Sequence, residues 1–499
     1  MSTLELVRRN SLSYISLQVL ITILLILCIV VYKEYVIGFS SVTTENLKTL
    51  SLISICFFII QQLLIVNVLK SFNNPLVYFS IILYLFSAGQ TFLLLLDLDF
   101  GNYNVFERIG NNDATSDSII FYTCSYVLFH LGVLFSMFFE DKIKVGSAFD
   151  NINFEHKTFK KALLITGYLL IIIGIIPFTT TLINNIQVFV TYGYSGYYKM
   201  EDVRVSNLFS GFLYYVYTGT IFVIVSSSMK IKKVMVLFLL VFSIIKFLLG
   251  DRGDGIVFAL SSYLLYVKFI QNNNKNNNMK NFVSISVIAL LLMTLIPVIS
   301  IYRHDNLSIS TLIETLLSEN PIVSTLQNLG STLYPLAKTI ELIPSYEDPI
   351  YGGSYFTSLL LLIPSIFRFG IIGEITSNPL YYSPANWIMD VLNMSYGPGF
   401  TPFAEAYLNF GWLGTIFMVF YGFLIGKLLN FNDFFKEIQP MKTKFFSGLT
   451  ILCFLFFAMS SRGSFNFLIA YYFRYIIIPL IFVYIIYMYF NKFNKKNKV

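Results

Sequence analysis

Ser13-Tyr-Ile-Ser-Leu-Gln-Val-Leu-Ile-Thr-Ile-Leu-Leu-Ile-Leu-Cys-Ile-Val-Val-Tyr32 is a run of 20 residues without one charged side chain. Wound as a helix it extends roughly 30 Å, the thickness of the hydrocarbon layer of a bilayer. In hydrocarbon each backbone polar group has to bond within its own segment, so the run reads as a membrane-spanning helix. Comparable runs recur along the whole chain, at 13–32, 50–69, 76–96, 118–139, 161–182, 208–229, 232–250, 254–271, 281–301, 402–427, 445–461 and 467–490. Of the 499 residues 56% are hydrophobic and 12% charged, with a mean hydropathy of +0.70. These values exclude a soluble core and leave no room for a soluble domain of any size. The expected fold is an all-α polytopic membrane protein of about twelve transmembrane helices.

Arg8 and Arg9 precede the first run, which is longer than a signal-peptide core and is followed by no small-residue cleavage site. It reads as a retained first helix. Cys28, Cys56, Cys124 and Cys453 each lie alone in an apolar run, so neither a disulfide framework nor a CxxC metal site is expected.

The cations sort by side. With the N-terminus inside, 20 of the 25 lysines fall in inner connections or the tail, the bias expected of cytoplasmic loops. Both termini are therefore expected in the cytoplasm. The net charge of +7 reflects this topology and not a nucleic-acid footprint. Residues 1–301 hold nine helices, 302–401 form one large extracytoplasmic loop, and 402–499 hold three helices and a basic cytoplasmic tail. Tyr355 to Ile372 has the look of a thirteenth span, but a crossing there would move the last lysine-rich segments outside. It is expected to be a re-entrant or interfacial helix pair broken at Pro364.

The arginines follow another rule. All nine except Arg8 and Arg9 fall on the outer side or at outer helix ends. Arginine holds a permanent planar charge that grips phosphate oxygens with two parallel hydrogen bonds. Arg252 lies in the turn Gly250-Asp-Arg-Gly-Asp-Gly255, where glycines admit a ligand close to the backbone and Asp254 serves either the ligand or the arginine itself. Arg303 follows the ninth run in Tyr302-Arg-His-Asp305, as a ligand contact or an interfacial anchor. Arg462 sits in Ser460-Ser-Arg-Gly-Ser464, and Arg474 lies roughly 10 Å into the last run, a depth at which charge usually faces a partner or a wet cavity. Arg368, beside Gly370, is either a fifth contact or a snorkelling end residue.

Such a set suits an anion resident at the membrane face, a lipid-linked pyrophosphate. Arginines can stabilise the charge on that leaving group without a metal ion. His130, His156 and His304 show no paired spacing, so no metal and no cofactor are expected.

The outer loop ends in Asn393-Met-Ser-Tyr-Gly-Pro-Gly-Phe-Thr-Pro-Phe-Ala-Glu-Ala-Tyr-Leu-Asn-Phe-Gly-Trp-Leu-Gly414. Thr401-Pro402 starts a helix and places Glu405 in its first turn. That carboxylate is a general-base candidate, or simply an acid facing the helix dipole; His304 is the second candidate base. Outer tyrosines, Tyr396 among them, offer faces for sugar rings or form an aromatic belt. Gly422-Phe-Leu-Ile-Gly426 reads as a helix-packing face.

Four features together resemble the oligosaccharide repeat-unit polymerases, the Wzy-type O-antigen and capsular polysaccharide polymerases of bacteria. They are the twelve-run plan, the late outer loop, the Gly-Asp-Arg-Gly-Asp-Gly turn, and Tyr396-Gly-Pro-Gly followed by Pro402-Phe-Ala-Glu-Ala-Tyr-Leu-Asn-Phe-Gly411. The resemblance implies a GT-C-like, metal-independent glycosyltransferase in the bacterial cytoplasmic (inner) membrane. Such an enzyme joins undecaprenyl-pyrophosphate-linked oligosaccharides on the outer face, in the company of flippase and chain-length regulator proteins. Arg252 matches the turn arginine and Glu405 the acid of the family pattern, while Arg303 and Arg368 match its arginine-rich loops loosely. An O-antigen ligase-like glycosyltransferase and a flippase of lipid-linked oligosaccharide are the alternatives. The long outer loop and the one-sided arginines argue against the flippase.

Overall fold

The computed structural model describes residues 3–37, 41–98, 104–138, 157–199, 210–248, 252–271, 321–364, 367–394, 398–430 and 440–496. Within them every regular element is helical. In chain order the first nine α-helices are α1 Thr3–Val31, α2 Thr44–Leu69, α3 Pro75–Leu95, α4 Val105–Ile109, α5 Asn112–Phe138, α6 Lys157–Lys199, α7 Tyr215–Ser226, α8 Met229–Leu248 and α9 Arg252–Phe269. Then come α10 Pro321–Leu329, α11 Leu333–Leu342, α12 Gly353–Leu360, α13 Ile371–Ser377, α14 Pro379–Tyr382 and α15 Pro384–Val391. The last five are α16 Pro402–Phe410, α17 Gly414–Leu429, α18 Pro440–Ser460, α19 Phe465–Tyr472 and α20 Ile478–Lys496.

Eight helical segments among the described residues are long and apolar enough to cross a membrane: Leu12–Tyr35, Thr44–Leu69, Pro75–Leu95, Asn112–Met137, Lys157–Val188, Pro402–Leu429, Met441–Ser460 and Phe465–Phe493. The chain is a polytopic membrane protein, with fewer such segments than the twelve expected. Three expected runs form helices of a different kind. The run at 208–229 becomes the 12-residue α7 behind a 3-10 turn, and it ends where Ser227 turns extended. The run at 232–250 becomes α8, whose uncharged stretch between Lys233 and Lys246 covers only about 18 Å. The run at 254–271 becomes the 18-residue α9, which carries Arg252, Asp254 and Lys268. The run at 281–301 lies outside the described residues. Conversely, α6 continues well beyond 182, because the stretch 182–192 offers neither glycine nor proline to stop it and Pro177 is accommodated inside.

The helices form two compact units. The first comprises Met1–Ile143, Leu317–Asn430 and Ser460–Ile469. Its tightest seam joins α5 and α17: a Cβ on Gly132 would overlap the Val419 carbonyl, and one on Gly422 the Phe129 carbonyl. Small residues that let two backbones touch are what helices in lipid use to associate, so Gly422 and Gly426 do serve helix packing. Some of the buried polar groups in α2, α3 and α5 pair with one another across the helices. Ser54 Oγ meets the phenols of Tyr84 at 2.8 Å and Tyr122 at 3.1 Å, and Ser80 Oγ meets Tyr126 Oη at 2.7 Å and His130 Nε2 at 2.9 Å. Gln90 ties two loop elements to α3, donating to Gln327 O at 2.8 Å and accepting from Val105 N at 2.9 Å.

The second unit comprises Lys144–Leu316, Phe431–Met459 and Ala470–Val499. Within it α6 and α7 meet at Gly167 and Gly219, where an added Cβ on Gly219 would lie 2.5 Å from Gly167 O. Thr218 Oγ1 donates to Tyr475 O at 2.7 Å, and Tyr214 packs on Tyr471 and Tyr475.

Candidate functional site

The local sequence builds α16 from its start. Thr401 is extended (φ −119°, ψ 157°) and its hydroxyl accepts from Ala404 N at 3.2 Å, with Pro402 in the first helical position where its missing N–H costs nothing. Glu405 follows and points inward, 1% exposed. Its Oε1 accepts from Ser354 Oγ at 2.6 Å and its Oε2 from the backbone N–H of Phe465 at 2.6 Å. Asn409, one helical turn on, donates through Nδ2 to Ser354 Oγ at 2.8 Å and to Glu405 O at 2.7 Å. Its Oδ1 accepts from Ser354 N at 3.3 Å. Ser354 thus stands between carboxylate and amide, donating to one and accepting from the other.

Aromatic rings close this network. Tyr355 stacks on Phe417 with centroids 4.4 Å apart and meets Phe465 edge-on at 5.0 Å. A cavity of about 10 Å³ remains beside Glu405, lined also by Tyr421, Ser464 and Leu468. That is room for about one water molecule and not for a sugar. Ser464 Oγ and Tyr421 Oη make no hydrogen bond to protein, and they supply polar partners of the kind a buried water needs.

Phe465 N belongs to the turn that carries Arg462 between α18 and α19. The backbone oxygen of Arg462 accepts from Phe400 N at 3.2 Å, just ahead of α16. Its half-buried guanidinium donates to Ser331 Oγ at 3.3 Å and lies over the Phe86 ring, 5.4 Å from the centroid. Phe86 is in the middle of α3. A permanent charge therefore sits beside the midpoint of a helix long enough to span the bilayer, a placement that marks functional sites.

The other sequence candidates fall elsewhere. Arg368 is half-buried in the segment between α12 and α13, its Nε makes no hydrogen bond, and Phe367, Phe369 and Ile371 around it are exposed. Arg474 is exposed in a π turn, Phe473–Ile477, of the second unit. Arg252 opens α9, and its side chain lies outside what is described; Asp254 faces Lys246 at 3.7 Å. Arg303, His304 and Tyr396 lie outside the described residues. The structure therefore brings Glu405 to the Arg462 turn. Among the described residues it gives the carboxylate no cationic partner. Sequence reasoning missed Ser331, Ser354, Phe86 and Asn409. The four-residue spacing from Glu405 marks Asn409 as its neighbour on one helix face; Ser354 and Ser331, distant in the chain, carry no such signal.

Spanning helices with a buried carboxylate–serine–amide network beside an arginine turn define a membrane protein that builds a polar site among its helices, as enzymes acting on lipid-borne substrates require. The chain belongs to the O-antigen polysaccharide polymerase Wzy family, whose model matches residues 14–494. It is thus a glycosyltransferase-type polymerase of O-antigen repeat units that acts on lipid-linked oligosaccharide in a membrane. A search of curated proteins and a search of solved structures each found no match.

Proposed function

We propose that this polymerase uses undecaprenyl-pyrophosphate-linked repeat units at the outer face of the bacterial inner membrane, and that Arg462 grips the pyrophosphate that departs. The terminal hydroxyl oxygen of the incoming unit bonds to the anomeric carbon of the growing chain. The bond from that carbon to the pyrophosphate breaks, its electron pair going to the phosphate oxygen. The hydroxyl proton passes to a base, a role for which His304 is proposed from sequence. Arginine meets the charge that grows on the leaving oxygen in place of a metal ion, and its fork suits two phosphate oxygens at once. The observation that carries this reading is the Arg462 guanidinium beside the middle of α3, fixed by Ser331 and Phe86.

Gel analysis of surface glycan and lipid-linked intermediates tests it, in cells lacking the gene and complemented with wild type or Arg462→Ala. The ladder of repeats should vanish while single lipid-linked units persist and the protein accumulates normally. Arg462→Lys keeps the charge but loses the planar fork, and should restore only a trace of polymer. A complete ladder from Arg462→Ala would remove the assignment.

A further inference from the structure

We propose that Glu405 is a positioning residue for Arg462 and not the base that receives the acceptor's proton; the inference rests on the reading of Arg462 as the pyrophosphate-gripping arginine. The turn of Arg462 is held on both flanks by the start of one short helix. Phe400 N binds the Arg462 carbonyl at 3.2 Å on one side, and Glu405 Oε2 receives Phe465 N–H at 2.6 Å on the other. A hydrogen bond to a carboxylate is about twice as strong as one between neutral groups, so the second tie is the firmer.

Glu405 can act as such a post because it does not turn. Its remaining oxygen is fixed by Ser354 Oγ, and that hydroxyl is fixed in turn by Asn409 Nδ2. The chain of bonds runs from α12 through α16 to the first residue of α19, and sets where the Arg462 α-carbon stands. From there the side chain reaches Ser331 and Phe86. A general base must come within hydrogen-bond reach of the acceptor hydroxyl. Glu405 is 1% exposed, both its oxygens are engaged, and its cavity admits about one water. Such a carboxylate orients other groups and touches no sugar.

Glutamine at this position separates the two roles. Its carbonyl can accept from Phe465 N–H while its amide donates to Ser354 Oγ, whose hydroxyl can reorient. Glutamine cannot act as a base. Polymerisation rates are to be measured in membranes that contain the full-length protein and the cells' own lipid-linked units, with each variant's abundance and monodispersity in detergent recorded. Glu405→Gln should lower the rate by less than about tenfold, and Glu405→Ala by about 100-fold, the cost of a displaced catalytic group. The Glu405→Ala, Arg462→Ala double variant should be no slower than Arg462→Ala alone, since groups that act as one unit lose their effect once. Should Glu405→Ala fail to accumulate, Ser354→Ala takes its place, with a smaller loss and the same lack of additivity.

Two results overturn the inference while leaving Arg462 in the site: Glu405→Gln as inactive as Glu405→Ala, or a double variant whose loss is the product of the single losses. Wild-type rates from Arg462→Ala overturn both readings.

Discussion

Asn409 is fully buried, and three of its polar contacts hold Ser354 and the Glu405 backbone. Leucine has the same branched outline, though larger methyl ends, and neither donates nor accepts. Asn409→Leu should therefore leave the Ser354 N–H and the Glu405 carbonyl without this partner, at a cost of about 1–3 kcal/mol for each group that finds no other. Its melting temperature in detergent should fall clearly below that of wild type, and an unchanged melting temperature would show that these bonds contribute nothing. Glu405 itself was legible in the sequence, because an acid four residues past a Thr-Pro helix start stands out in an apolar context. Its role was not legible. Both of its partners lie more than fifty residues away in the chain, at Ser354 and Phe465, and one of them is a backbone N–H that no residue type announces.

At the scale of elements, the seam of α5 and α17 is set by backbone contact. Gly422 faces the Phe129 carbonyl so closely that even a methyl group has no space. Leucine there must drive the helices apart, and with them the packing of Tyr421 on Phe129. Gly422→Leu should abolish accumulation of folded protein, whereas Leu413→Ala, at an exposed position on the turn leading into the same helix, should not. Quantitative blotting with size-exclusion profiles checks both. Helices such as α2, α3 and α5 were plain from composition, because a run of about 20 apolar residues has one stable conformation in hydrocarbon. Runs that carry charges were less plain. In α8, Lys230, Lys232, Lys233 and Lys246 shorten the apolar centre, so the helix falls short of the length and apolarity of the eight spanning segments among the described residues. Of the helices α10 to α15, the sequence suggested only a re-entrant or interfacial pair broken at Pro364, where α12 and the start of α13 lie; the others carried no such signal. Short amphipathic elements of four to ten residues owe their stability to packing against neighbours and not to their own pattern.

At the scale of the whole molecule, the question is which side of the membrane the arginine turn faces. Segments assigned to the outer side by lysine counting do come together within the first unit: Arg108 lies over Tyr334 at 4.6 Å, Lys338 donates to Ile109 O at 2.8 Å, and Arg462 reaches Ser331. Contact makes them share a side, and the lysine bias says which. Twenty of 25 lysines fall opposite them, and loops rich in lysine stay in the cytoplasm during insertion. The expected orientation is thus both termini inside and the loop before α12 outside. Tyr351, 80% exposed, is a suitable reporter for that loop. The native Cys28, Cys56, Cys124 and Cys453 all lie within spanning segments, out of reach of an impermeant reagent. Tyr351→Cys should be labelled by a membrane-impermeant maleimide in intact cells, and Val499→Cys only after the membrane is opened. The reverse pattern would put the Arg462 turn on the cytoplasmic side. The enzyme would then meet repeat units before their transfer across the membrane, and polymerisation at the outer face would have to be given up even with the arginine assignment intact.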